Sequence, residues 1–295
     1  MGRNPKIKKL IEICLIAVVT YLCVVFIIRL VEAARVGINA QTNPQEFLPS
    51  LFYMLFHCHG MFLNGISTTV RIALFGTAIA FALAVLLVFI RIQKPQRNDK
   101  NIPAVLKEIG VLFSKLYITV IRGTPMMVQT LIFYYAGFGI FKAQGMSVSE
   151  INRVWSFFIS GLITVSLNST AYLTEVLRGG IESIDPGQME AARSLGMSNW
   201  QAMIRIVFPQ AVKNSIPAIG NEFIINIKDS SVLSVIGCYD LMYATTSVVG
   251  IYYKALPVYC IAAVTYLILT CLSSLLMKWI ARKLDTNVVS LPSSN

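Results

Sequence analysis

The side chains of this 295-residue chain with most to offer chemically stand inside an apolar run. Glu222, Asn226 and Asp229 are spaced i, i+4, i+7, and Ser230 lies four beyond Asn226, so a helix would gather all four on one face. Ionisable groups at membrane depth are expensive, roughly a few kcal/mol each on insertion scales, and they face a cavity or a partner. Two readings stay open on spacing: a polar pathway lined by this face, or a closed network in which Glu222 or Asp229 pairs with Lys228 or Arg122. Arg122 precedes Gly123 and Pro125, which weaken the helix ladder beside it and either free backbone groups for a cavity or make a packed kink.

Other constellations carry less. His57, Cys58 and His59 are adjacent, so they point to different faces, and no second ligand pair follows; they read as an interfacial loop rather than a metal site. The six cysteines have no CxxC spacing and four lie in apolar runs, as small apolar residues do. No GxxxxGK[ST] is present to cradle ATP phosphates, and no Gly-rich dinucleotide fingerprint. With its two histidines both in one short stretch, the chain offers no catalytic set, and no cofactor of its own is expected.

The elements that must position these residues follow from composition. The chain is 56% hydrophobic and 13% charged, where soluble domains have about 25% charged residues, and its mean hydropathy is +0.67. That excludes a water-soluble enzyme. Apolar runs of the roughly 20 residues that cross a bilayer occur at 10–30, 66–90, 112–141, 155–177, 215–237 and 257–280, which predicts an all-α membrane protein of six transmembrane helices. The fifth is interrupted by Pro217, Gly220, Asn221, Glu222, Asn226, Lys228 and Asp229. The first outlasts a signal-peptide core and lacks a small-residue cleavage site, so it reads as an anchor.

Lysine and arginine counts orient the spans. Residues 1–9, 91–115, 178–213 and the tail from Lys278 hold seventeen, against Arg35, Lys142, Arg153 and Lys254 in the alternate loops. Positive charge collects on the cytoplasmic side, so both termini are expected in the cytoplasm. The net charge of +11 is then a topology signal, and nucleic acid is excluded as a partner.

The longest cytoplasmic stretch, 178–213, carries strong helix punctuation. Asp185-Pro186-Gly187-Gln188 supplies a capping Asp, a proline at the first helical position and a Gln able to reach back, predicting a helix over 186–195. Gly196 ends it in the left-handed region. Ser198-Asn199-Trp200-Gln201 repeats the capping spacing, and Pro209 limits the next helix to 199–208. Met189, Ala192 and Leu195, and Trp200, Ile204 and Phe208, make apolar stripes that need a partner surface, either the chain's own membrane domain or a cytoplasmic protein.

Glu190-Ala191-Ala192, Gly196, Ile206 and Pro209 together resemble the EAA loop of ABC-importer permeases. Arg122-Gly123-Thr124-Pro125 with Gln129, Asn221-Glu222 through Lys228-Asp229-Ser230-Ser231, and Gly65 with Thr68 and Thr69 are similar to the polar amino acid branch of that family, the likeness running from about 60 to 280. The resemblance implies a type I ABC-importer permease architecture with a cytoplasmic double-helix coupling loop. Its divisions would be an N-terminal tail and extra helix (1–30), an external loop (31–64), a permease core (65–281, EAA loop about 185–210) and a cytoplasmic tail (282–295). The family core has five spans with the N-terminus outside; the extra first span brings it inside.

The resemblance further implies a multi-pass subunit of a bacterial plasma-membrane importer for polar or charged amino acids. Its partners would be a cytoplasmic ABC ATPase dimer that uses the ATP, a second permease subunit and an external substrate-binding protein; the chain itself would be no enzyme. Glu190, Ala191, Ala192 and Gly196 would couple to the ATPase. Arg122, Glu222, Asn226, Asp229 and Ser230 would line the substrate path, an amino acid's ammonium and carboxylate needing one acidic and one basic partner. The alternatives are a permease of this class for another small polar solute, or a secondary transporter, which would lack the doubly capped loop.

Overall fold

A computed structural model describes residues 5–93 and 101–283, with side chains over 18–93 and 104–283. Readings at 1–4, 94–100 and 284–295, among them Arg3, Lys94, Arg97 and Lys100 and most of the 282–295 tail, lie outside the described residues. Among the described residues every regular element is helical: α1 (Pro5–Asn39), α2 (Phe47–His57), α3 (His59–Arg91), α4 (Asn101–Gly123), α5 (Met126–Ala143), α6 (Val148–Val154), α7 (Phe157–Glu182), α8 (Pro186–Ser194), α9 (Asn199–Ala202), α10 (Phe208–Asp229), α11 (Leu241–Tyr252) and α12 (Ala255–Lys283). A π-helical turn, Met203–Val207, joins α9 to α10, and a 3₁₀ turn, Ser230–Ile236, follows α10.

By length and apolarity three described helices can cross a membrane, α3, α7 and α12, with mean hydropathies of 2.7, 1.2 and 2.1, and a fourth if Asn199–Ile236 and Leu241–Tyr252 count as one span. The six predicted spans are therefore not reproduced one for one. The run at 112–141 is broken between α4 and α5, because Pro125 lacks an N–H and its ring clashes with the preceding turn. The run at 215–237 changes from α to 3₁₀ after Asp229. Helices α2 and α11, of 11 and 12 residues, are too short for a spanning window, and His57 and His59 belong to helices α2 and α3 rather than to a loop.

The chain forms two compact units. In the first, Met1–Phe62 with Thr245–Ala263, α1 packs on α2 so closely that a Cβ on Gly37 would lie 2.3 Å from the Pro49 carbonyl oxygen. Tyr53 stacks on His57 at 4.1 Å and meets Tyr252 edge-on at 5.9 Å.

The second unit, Leu63–Ala244 with Val264–Asn295, holds every candidate site residue. Its centre is α7, opened by Ser156, whose hydroxyl accepts from the Ile159 N–H at 3.3 Å. Helix α7 packs on α10, α5 and α4. Small side chains permit the approach: a Cβ on Gly180 would fall 2.8 Å from the Ala211 carbonyl oxygen. The hydroxyls of Thr164, Ser166, Thr170 and Thr174 donate to carbonyls one turn back, so these buried polar residues are satisfied within their own helix. Ala80, Ala84 and Val88 of α3 meet Leu173 and Leu177 of α7 in a core closed by Phe208, Val212 and Ile219 of α10.

Candidate functional site

Two neutral hydrogen-bonded links cross this bundle from adjacent residues of α7. The Ser169 hydroxyl donates to Asn226 Oδ1 at 2.9 Å, and Asn226 Nδ2 donates to Thr77 Oγ1 of α3 at 2.9 Å. Beside it, Asn168 Nδ2 donates to Gln129 Oε1 at 2.9 Å. The Gln129 amide nitrogen lies 2.7 Å from the Ile121 carbonyl, 3.0 Å from the Thr124 carbonyl and 2.8 Å from the Thr124 hydroxyl. The backbone groups freed by the Pro125 break are thus taken up by a side chain of α5, and the break is a packed kink.

The predicted path residues take different surroundings. Glu222, Asn226 and Ser230 are buried, Asp229 is half-buried, and Arg122 and Lys228 are exposed. Glu222 lies near the Ser169 hydroxyl and within the field of Asp229, so α10 does bring the acidic pair together. Arg122 is elsewhere, its guanidinium 5.0 Å over the ring of Tyr172. Asp229 lies within the field of Lys228, but among the described residues neither Glu222 nor Asp229 makes a direct ion pair with Lys228 or Arg122. The described ion pairs join Arg91 to Glu175 at 3.0 Å, and Arg178 to Glu175 at 2.8 Å and to Glu182 at 2.6 Å. No group of three or more His, Cys, Asp and Glu side chains is gathered for a metal ion among the described residues.

The coupling loop follows from its caps. Asp185 accepts from the Gly187 N–H at 2.8 Å and opens α8. Gln188 does not reach back; its carbonyl faces Gln210 at 3.5 Å. The helix ends as expected. Gly196 has φ +85°, its N–H donates to the Arg193 carbonyl at 2.9 Å, and the Met197 N–H donates to that of Ala192 at 3.1 Å, the paired bonds of a left-handed glycine cap. Ser198 and Gln201 form the reciprocal box at 2.9 and 3.2 Å. The second helix does not stop at 208. The Phe208 N–H donates to the Met203 carbonyl, and this wider i→i−5 turn lets Pro209 enter the first turn of α10, where no N–H is needed. Glu190, Ala191 and Gly196 are exposed, Ala192 is buried, and Leu195 keeps 83% of its surface free.

Sequence reasoning missed several residues. Thr77, Asn168 and Ser169 are ordinary polar residues in long helices, and nothing local marks their partners. Glu175, near a helix end, lies between Arg91 and Arg178. The Glu175, Arg178, Glu182 spacing of three and four was the available signal. Asp240, wholly buried, accepts from the Tyr243 N–H at 2.8 Å, and Thr69 accepts from the Leu241 N–H at 3.1 Å; together they cap α11 against α3.

Known proteins are similar to this chain in sequence and fold. The family described as the binding-protein-dependent transport system inner membrane component matches residues 104–288. A putative glutamine transport system permease protein of Rickettsia felis is 38% identical over 60% of this chain and 76% of its own. A probable glutamine ABC transporter permease protein of Bacillus subtilis is 32% identical over 79% of this chain and 97% of its own. Among solved structures, an amino acid ABC transporter crystallised with histidines is similar at a TM-score of 0.66 and 31% identity, over 81% of this chain and 99% of that one. With more than half its length inside the family match and near-complete coverage of relatives, this multi-pass membrane chain belongs to the inner membrane component family of binding-protein-dependent transport systems.

Proposed function

We propose that the chain is the permease subunit of an ATP-driven importer for polar or charged amino acids. An external binding protein delivers the substrate, a separate cytoplasmic ABC ATPase pair hydrolyses ATP, and a second permease subunit completes the path. Likeness to glutamine permeases and to an amino acid ABC transporter supports the substrate class. The observation that carries the coupling role is the doubly capped helix pair, with Leu195 held out to solvent beside a left-handed Gly196. A secondary transporter has no use for such a pair.

Glu190, Ala191, Ala192 and Gly196 make the ATPase-facing surface. Closure of the ATPase pair moves it and rocks the helices to alternate access. Glu222, Asp229 and Ser230 face the path and Asn226 braces it, while Arg122, on the last turn of α4, lies over Tyr172 away from this face. Six spans with both termini in the cytoplasm, an external segment at 31–64 and a core at 65–281 complete the assignment. ATP-dependent uptake into proteoliposomes holding the purified complex, with a panel of amino acids competing, tests it. Uptake without ATP overturns the ATP-driven reading, and competition only by non-amino-acid solutes overturns the substrate class.

A further inference from the structure

We propose that the last turn of α3 is the joint through which movement of the 186–207 segment reaches the bundle, with Phe89 and Arg91 as its positioning residues; this rests on the importer reading above. The Phe89 ring meets Trp200 at 5.3 Å and 62°, and Phe208 at 4.8 Å. Trp200 belongs to α9 and Phe208 opens α10. Eight residues apart on a regular α-helix, they would be turned from each other by about 80°. The π turn at Met203–Val207 lies between them, and its wider turn advances less per residue, so both rings come onto one side and clasp Phe89. Trp200 keeps 55% of its surface exposed; its hold on Phe89 is a discrete ring contact rather than part of a core.

Two residues on, Arg91 takes hold of α7. Its guanidinium pairs with Glu175 at 3.0 Å, with side-chain exposures of 18% and 19%, and Glu175 also binds Arg178. Positions i and i+2 point to different sides of a helix. One turn of α3 therefore touches the coupling segment through Phe89 and α7 through Arg91, and a displacement of α9 is delivered to two helices at once. The ring contact is directional, since edge-on rings prefer a particular tilt, and the ion pair fixes one point, Arg91 Nη2 on Glu175 Oε1.

The test measures ATP hydrolysis and substrate uptake in the same proteoliposomes, with the full complex and its binding protein. Phe89→Ala is expected to lower substrate imported per ATP hydrolysed by roughly two- to tenfold, the scale of losing one aromatic pair, while hydrolysis continues. Phe89→Tyr, which keeps the ring, restores the ratio, and Arg91→Gln lowers it. Where Phe89→Ala reduces complex yield, Trp200→Leu reads the same ratio from an exposed position without opening the core. Wild-type uptake with an unchanged ratio in Phe89→Ala and Trp200→Leu overturns the joint alone, as does an equal fall in hydrolysis and uptake, which marks plain packing. A wild-type complex that takes up nothing overturns the importer reading and the joint with it.

Discussion

Asp229 and Asn226 lie on one face of α10, yet their surroundings assign them different work. Asn226 has its oxygen and nitrogen both engaged, by Ser169 and Thr77, so it braces three helices and has little left for a solute. Asp229 is half-buried, lies in the field of Lys228 with no ion pair to a described residue, and stands where α10 gives way to the 3₁₀ turn. Asp229→Asn keeps the shape and removes the charge. It is expected to lower uptake or change preference among competing amino acids at normal complex yield, read by uptake against several substrates alongside yield. Lower yield with unchanged preference would assign Asp229 to structure, and unchanged uptake of every substrate would remove it from the path. That α10 carries a polar face was legible from spacing. That Arg122 does not answer it was not, because a cation–π contact with Tyr172 depends on how α4 and α7 are set, and no local spacing encodes that.

At the scale of elements, caps decide where helices stop. Gly196 at φ +85° is a position where a branched side chain costs roughly 1–2 kcal/mol. Nothing lies within 4 Å of a Cβ built there, so the penalty is in the backbone and not in a clash. Gly196→Val is expected to abolish ATP-driven uptake or ATPase docking while membrane insertion and expression persist; normal uptake would remove the coupling role. Helix α6 offers a pH test. The Glu150 carboxylate accepts from the Ser147 backbone N–H at 2.7 Å and hydroxyl at 2.6 Å, which holds its pKa below the ordinary 4.5. A lowered folded pKa contributes stability that is present above pH 4.5 and lost as pH falls through the lowered value. Amide exchange at 148–151, corrected for intrinsic rate, should therefore quicken only below pH 4.5, and Glu150→Gln should remove that step. A step that persists in Glu150→Gln would assign it to another group.

For the whole molecule the decisive property is orientation in the membrane. The basic residues divide seventeen to four between alternate loops, and the proposed orientation that follows from this would put Ser194, in α8, in the cytoplasm and Asn152, in α6, outside. Both are exposed. In a background with the native cysteines replaced, Ser194→Cys should react with a membrane-impermeant thiol reagent only from the cytoplasmic side and Asn152→Cys only from the outer side. Labelling of both from one side would overturn the six-span arrangement.

Composition and local chemistry by themselves determined the membrane class, the helical architecture, the caps at Ser198 and Gly196, the weak point at Pro125 and the polar face of α10. Each depends on neighbours within a few residues, where hydropathy, missing donors and backbone sterics act. The tertiary structure alone decided that Gln129 closes the Pro125 break, that Asn226 ties α10 to α7 and α3, that Arg91 joins Glu175, and that a π turn carries α9 into α10. Asn226 and Thr77 are 149 residues apart. Such a bond requires two helices to be packed before its geometry exists, and in a low-dielectric interior an amide left unpaired there would be costly, which favours the packing that joins them.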